Sequence, residues 1–229
     1  MTQAAGQWAR RIDPADVREL MTETNDGIIA VAGLALGLAG AEIGPFSARL
    51  IVLISSVAGA LSVFGVKLGE AMADREAHLA IAAEERRLME RSPDEEMTEL
   101  ADWFTGRGVS PQTARQVARE LSAGDGLSAQ LQLEYGIEQV TTRRSAWGAA
   151  LRAGAAFLIG SLGPVLATLF VTSRWRTGYT LITAVLALTI TSALLSALGR
   201  ARFWSTTLRT LGIGLATLAG TFALGQLLA

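Results

Sequence analysis

The chain has no cysteine, which excludes disulfides and thiolate metal ligands and leaves the redox compartment open. It has one histidine and no nucleophile–base pair at a recognisable spacing, so a hydrolytic enzyme is not expected. Charged residues make up only 18%, and the net charge of −1 gives no basic surface for a nucleic acid partner. Lysine is nearly missing: Lys67 stands alone against many arginines, a balance that suggests a GC-rich genome and points to a bacterial inner membrane. What is abundant is apolar. Half of the 229 residues are hydrophobic, and the mean hydropathy is +0.36, high for a soluble domain of this size.

The apolar residues concentrate in Gly27–Gly44, Leu50–Gly69, Gly148–Val171, Tyr179–Leu198 and Leu208–Ala229. A bilayer-spanning helix needs about 20 mostly apolar residues, so five spans are predicted, the first of them short. The charged beginning of the chain shows no cleavable signal peptide. Arg10, Arg11 and Arg18 precede the first span, Arg75, Arg143 and Arg144 edge a polar central block, and Arg200 and Arg202 follow the fourth span. Only Arg49, Arg174 and Arg176 lie on the other side. This bias predicts a cytoplasmic N-terminus and central block, and a C-terminus across the membrane.

The fold class expected is therefore all-α: a polytopic membrane protein with five transmembrane helices and a cytoplasmic helical domain between helices two and three. Its layout is residues 1–70, 71–146 and 147–229. In the central block, Ser92-Pro-Asp-Glu95 reads as a capping box and Ser110-Pro-Gln-Thr113 repeats the device. Helices are predicted over about Glu70–Arg91, Pro93–Thr105 and Pro111–Ser122, with a shorter one reaching Glu134. Nothing breaks the first of these from span two, so the two should form one long rod. Gly33, Gly37 and Gly40, and the pair Gly65 and Gly69, are expected to let spans one and two approach closely. Pro164 should kink span three.

Asp26 stands at the start of the first apolar run. It reads either as an N-cap or as a functional carboxylate, because an ionisable group in a membrane span is costly and usually has a task. Span two runs antiparallel to span one, which brings its last turns, with Lys67 and Glu70, to the depth of Asp26. Those three form a candidate charged cluster at the mouth of a pathway. In the central block Glu95, Glu96 and Glu99, and Glu85 with Met89 one turn on, have spacings suited to a hard divalent cation; they also read as a solvated helix surface with arginine counter-ions.

The series NDGII, Gly59-Ala-Leu-Ser62, REAHLAIAAEERR, SPDEEMTELADWFTGRGVSPQTARQVARELSAGDGL and LEYGI, in that order across the chain, resembles the vacuolar iron transporter family. The resemblance implies a homodimer in the lipid bilayer that moves Fe²⁺ or Mn²⁺ out of the cytoplasm in exchange for protons, with no permanently bound cofactor. It implies that Asp26 receives the cation and that Glu19 lies at the cytoplasmic entrance. Glu85, Glu96, Glu99 and Glu134 would line a metal-collecting site. Three positions depart from the family's pattern. Val63 and Lys67 stand where it has methionine and an acidic residue, and Leu88 stands where another glutamate is expected. Lys67 could pair with Asp26, pair with Glu70, or carry the proton. A family member that has lost transport and serves as a membrane-anchored metal-binding or regulatory protein is the alternative function.

Overall fold

The computed structural model describes residues 14–198 and 202–229, so Arg10, Arg11 and Arg200 of the orientation argument lie outside the described residues. Among the described residues the structure is helical throughout: α1 (Pro14–Gly40), α2 (Pro45–Arg91), α3 (Pro93–Thr105), α4 (Pro111–Ala123), α5 (Gly126–Glu134), α6 (Arg143–Phe170), α7 (Ser173–Leu198) and α8 (Phe203–Leu227). They form two compact units, Met1–Lys67 with Gly148–Ala229, and Leu68–Trp147.

Four of these helices, α2, α6, α7 and α8, are long and apolar enough to cross a membrane. α1 does not reach that criterion. Its apolar part runs only from Gly27 to Gly40, roughly 21 Å at about 1.5 Å per residue, and its first half is charged. The reason is its position. α1 packs against α7 and α8, and its Val31 and Ala35 join Val52 and Ala60 of α2 and Phe157 and Val165 of α6 in one core cluster. On another face Ile28, Ala32 and Leu36 meet Ala184 and Leu188 of α7 and Leu218 of α8. A helix walled in by its neighbours need not be apolar all round, because protein rather than lipid meets much of its surface. Around it the outward side chains are large and apolar, among them Phe46, Ile54 and Leu61 on α2 and Trp204 and Leu208 on α8.

Small and hydroxylated residues line the helix contacts inside. The hydroxyls of Ser56 and Ser161 are 2.7 Å apart between α2 and α6, and Thr191 Oγ1 of α7 donates to Asn25 Oδ1 at 2.6 Å. The glycine stripe has a different partner from the one predicted. Gly33, Gly37 and Gly40 face Thr221 and Phe222 of α8, whereas Gly65 and Gly69 of α2 have open space beside them. α1 ends in a Schellman turn, with Ile43 N–H bonded to the Leu38 carbonyl at 3.0 Å and Glu42 N–H to that of Ala39 at 3.2 Å. Glu42 holds the left-handed position there, at φ 53°, usually a glycine's place.

α2 is unbroken over its 47 residues, as the lack of a breaker predicted. At about 1.5 Å per residue it measures roughly 70 Å, more than twice a bilayer's hydrocarbon thickness, so a bilayer cannot enclose its whole length. α6 continues through Pro164.

In the second unit, Leu100 and Ala101 of α3 pack on Ala114 and Ala118 of α4. Both helices start with proline after serine, as expected, but only Ser110 caps with its side chain, accepting from Thr113 N–H at 3.3 Å; Ser92 makes no such bond. The sequence reading missed the cap of α5. Asp125 accepts from Ser128 N–H at 3.2 Å and Ser128 Oγ at 2.6 Å, bonds that hold its carboxyl below the usual range.

Candidate functional site: two sets of carboxylates

The first set lies on α1. Because the helix begins at Pro14, Asp26 sits well inside it and cannot be its N-cap; that reading is corrected. Successive helical residues point about 100° apart, and the three residues Asn25-Asp-Gly27 use this in three directions. Asn25 turns to α7 and is held there by Thr191. Gly27 turns to α6, where a Cβ would strike the Phe157 carbonyl. Gly160 of α6 returns the fit, with the Thr24 carbonyl where its own Cβ would be. Asp26 is left pointing out, exposed in the single chain.

Glu19, Glu23 and Asp26 follow one another at four and three residues, and so share a helix face. Lys67 of α2 reaches that face. Its Nζ lies 3.1 Å from Glu19 Oε1 and 3.5 Å from Glu23 Oε1, with Glu23 buried and Glu19 half exposed. Glu23 also lies within electrostatic range of Asp26. Val63 lies one turn before Lys67, beside the α1–α2–α6 core cluster. Glu70 is exposed on the following turn of α2. The structure thus brings Lys67 to Glu19 and to Glu23, and sets Asp26 on the same face of α1 as both carboxylates. Sequence reading missed Glu23 because the first helix was started at Gly27; the spacing from Glu19 to Asp26 carries the signal once the helix is extended backward.

The second set belongs to the other unit. Glu85, near the end of α2, is only 2% exposed. It hydrogen-bonds the Glu96 carboxyl of α3 and accepts from the Tyr135 hydroxyl at 3.5 Å. Burial, then the bond and the charge of Glu96, then the charge of Glu134, push its pKa up to about 7, with Tyr135 opposing. Burial and the charges of Glu99 and Glu96 raise Glu134 as well. Tyr135 is raised by burial and by the Glu85 charge. Glu99 itself is exposed, on a face of α3 shared with Asp94, Glu95, Thr98 and Asp102. Met89 lies one turn after Glu85, and its methyl group packs on the Gly126 backbone. Leu88 is exposed.

No three His, Asp or Glu side chains among the described residues are already drawn together in a metal-holding arrangement. Two oxygens of the second set stand without a partner. Glu85 Oε1 and Glu134 Oε1 are buried acceptors without a hydrogen-bond partner. A buried acceptor left unpaired costs about 1–3 kcal/mol, and a cation between two such oxygens would remove that cost.

The sequence profile of the VIT family matches residues 17–226, from the beginning of α1 almost to the end of α8. The chain belongs to the VIT family. Among similar proteins, a vacuolar iron transporter of Acanthamoeba castellanii is 30% identical over 151 residues, which cover 66% of this chain and 54% of that protein. Vacuolar iron transporter 2 of Oryza sativa subsp. japonica is 27% identical over 173 residues, covering 75% of this chain and 70% of the rice protein. The chain therefore spans about half the length of the amoeba relative it matches. Both VIT relatives are named transporters, in line with the expectation that this chain is not an enzyme.

Proposed function

We propose that this VIT-family chain is a proton-coupled transporter that exports a divalent metal, Fe²⁺ or Mn²⁺, from the cytoplasm. The observation that carries this reading is the row Glu19, Glu23 and Asp26 on one face of the helix around which the other spans pack. Five spans, counting α1, and a cytoplasmic unit with Glu85, Glu96, Glu99 and Glu134 as its metal-collecting residues complete the reading. The relatives' names favour iron as cargo. An all-carboxylate path suits Fe²⁺ and Mn²⁺ equally, since both take oxygen ligands.

The assembly is a homodimer. Asp26 is exposed in the single chain, and a bare carboxylate within a bilayer costs of order 2.5–3.5 kcal/mol on insertion scales. A second copy presenting the same face would cover both aspartates and enclose a path between them. Glu19 and Glu23 would receive the ion on the cytoplasmic side, Asp26 would take it next, and the carboxylates would pick up protons as it leaves. The membrane is the bacterial inner membrane, with the N-terminus inside.

Lys67 supports a second reading. Its ammonium already occupies a cation's place between Glu19 and Glu23. A chain whose path is filled by its own lysine would bind metal on its cytoplasmic unit without moving it, as a membrane-anchored metal-binding or regulatory protein. Fe²⁺ and Mn²⁺ uptake into proteoliposomes, with and without a pH gradient, separates the two. Gradient-dependent flux that Asp26→Ala abolishes is expected for the transporter. Flux that is absent in the native chain and present in Lys67→Glu would establish the second reading instead.

A further inference from the structure

Between α6 and α7 lies a groove of about 530 Å³, a volume in the range of ligand pockets. Small residues of α6 hollow it out, Ala155, Ala156, Gly160 and Gly163, while Thr24 and Ile28 of α1, both buried, form its floor. Ile159 and Ile190 stand on its rims, both more than half exposed. The α1 residues that line it point roughly 150° around the helix from the row Glu19, Glu23 and Asp26, so the groove opens on the side of α1 away from that row.

One end of the groove is charged. Residues 153–170 of α6 carry no charge and measure about 27 Å at about 1.5 Å per residue, close to the ~30 Å hydrocarbon core of a bilayer, which sets Arg152 at the edge of that core. Its side chain reaches back toward the start of the helix, with Nη1 3.5 Å from the Cβ position of Gly148. Among the described residues Arg152 forms no ion pair. From Arg152 to Gly163 the groove runs about 16 Å, one leaflet's depth. Beside Arg152 a small cavity of about 20 Å³ adjoins the groove, sharing Leu20 and Arg152 with it and bounded on the α1 side by Asp16 and Glu19. It has room for about one water-sized group.

We propose that this groove binds one molecule of phosphatidylethanolamine, with the phosphate on the Arg152 guanidinium, the primary ammonium in the small cavity beside Asp16 and Glu19, and an acyl chain along the groove over Thr24 and Ile28. A cation next to two carboxylates is the complement of a zwitterionic headgroup. The guanidinium fork suits a phosphate's paired oxygens, and the carboxylates accept from the ammonium N–H groups. An anionic headgroup such as phosphatidylglycerol satisfies Arg152 but brings its negative charge against Asp16 and Glu19 without an ammonium to offset them. A choline headgroup carries three methyl groups, too many for a cavity of about 20 Å³, and offers the carboxylates no N–H. Glu19 Oε1 also receives Lys67 Nζ at 3.1 Å, so lipid and Lys67 share one carboxylate. Lipid recognition of this kind is independent of whether the chain moves metal.

Native mass spectrometry of the full chain in detergent, titrated with phosphatidylethanolamine, phosphatidylcholine and phosphatidylglycerol of identical acyl chains, gives the three dissociation constants. Phosphatidylethanolamine should bind about tenfold more tightly than either of the others, the worth of one hydrogen bond to a charged group. Arg152→Gln should weaken it about tenfold. Asp16→Asn should narrow the gap between phosphatidylethanolamine and phosphatidylcholine and leave phosphatidylcholine unchanged. Ala155→Trp fills the groove from an exposed position and should abolish the tight site. Equal binding of the three lipids by the native chain overturns the proposal, and so does tighter binding of phosphatidylglycerol. If Ala155→Trp binds phosphatidylethanolamine as the native chain does, the acyl chain lies elsewhere and the proposal falls. If the native chain binds no lipid and Ala155→Trp lowers its oligomeric mass, a second copy of the chain fills the groove, and the proposal falls again. Asp16→Asn, an exposed change in the first turn of α1, decides the headgroup assignment even where the tryptophan variant fails to fold.

Discussion

Glu85→Gln tests the electrostatics of the second unit's carboxylates directly. In the folded chain without metal, burial and the Glu96 and Glu134 carboxylates raise Glu85 from 4.5 to about 7. A folded-state pKa above the unfolded one means that folding favours the protonated carboxyl. Its stabilising contribution is complete below about 4.5 and is lost as pH rises through about 7. At about 1.4 kcal/mol per pH unit, the ionised group at pH 8 costs the unit about 3 kcal/mol. Glutamine has the shape of the neutral acid and no charge to bury. At pH 5 variant and native chain should be equally stable. At pH 8 the variant should be more stable, with opening of the α5 region suppressed by up to about a hundredfold. Amide exchange across α5 and the end of α2, measured in chelator at both pH values, reads this locally. Mn²⁺ added at pH 8 should protect the native chain and leave the variant unchanged. Equal exchange of the two chains at pH 8, or the same gain at pH 5, would refute the buried-carboxylate argument.

Three further predictions concern the fold. Gly27→Ala and Gly160→Ala each push a methyl group into a backbone carbonyl of the facing helix and should lower thermal stability by about 1–3 kcal/mol, whereas Gly65→Ala, with open space beside it, should be neutral or slightly stabilising. Glu42→Gly relieves a left-handed residue in the α1–α2 turn and should raise stability by about 1 kcal/mol, read from the unfolding midpoint in detergent. Asp125 is an ionised cap whose pKa lies below its usual value, so its contribution is present at neutral pH and fades as pH falls through that lowered value; Asp125→Ala should speed exchange of the Ser128 and Ala129 amides at pH 7.

Much of the fold could be read along the chain because local physics determines it. Apolar runs long enough for a bilayer marked α2, α6, α7 and α8. The serine-proline pairs Ser92-Pro93 and Ser110-Pro111 marked the starts of α3 and α4, and the lack of any breaker after Gly69 marked the continuous α2. α1 was harder. Its hydropathy pattern puts the start of a span at Gly27, while the helix itself begins at Pro14, because charged turns propagate a helix as readily as apolar ones. That single boundary turned Asp26 from a cap into an interior residue and hid Glu23.

Residue type and order by themselves determined that this chain is helical, apolar and rich in carboxylates at helical spacing, since propensity and hydrophobic periodicity act over a few residues. Which groups meet was decided by tertiary packing alone. The partner of the α1 glycine stripe is α8, the ammonium of Lys67 bridges Glu19 and Glu23, and the amide of Gln130 holds Glu96, 34 residues away in sequence. Such pairs depend on the rotation and crossing of whole helices, which are set by the summed contacts of many side chains and left no mark at any one position of the sequence.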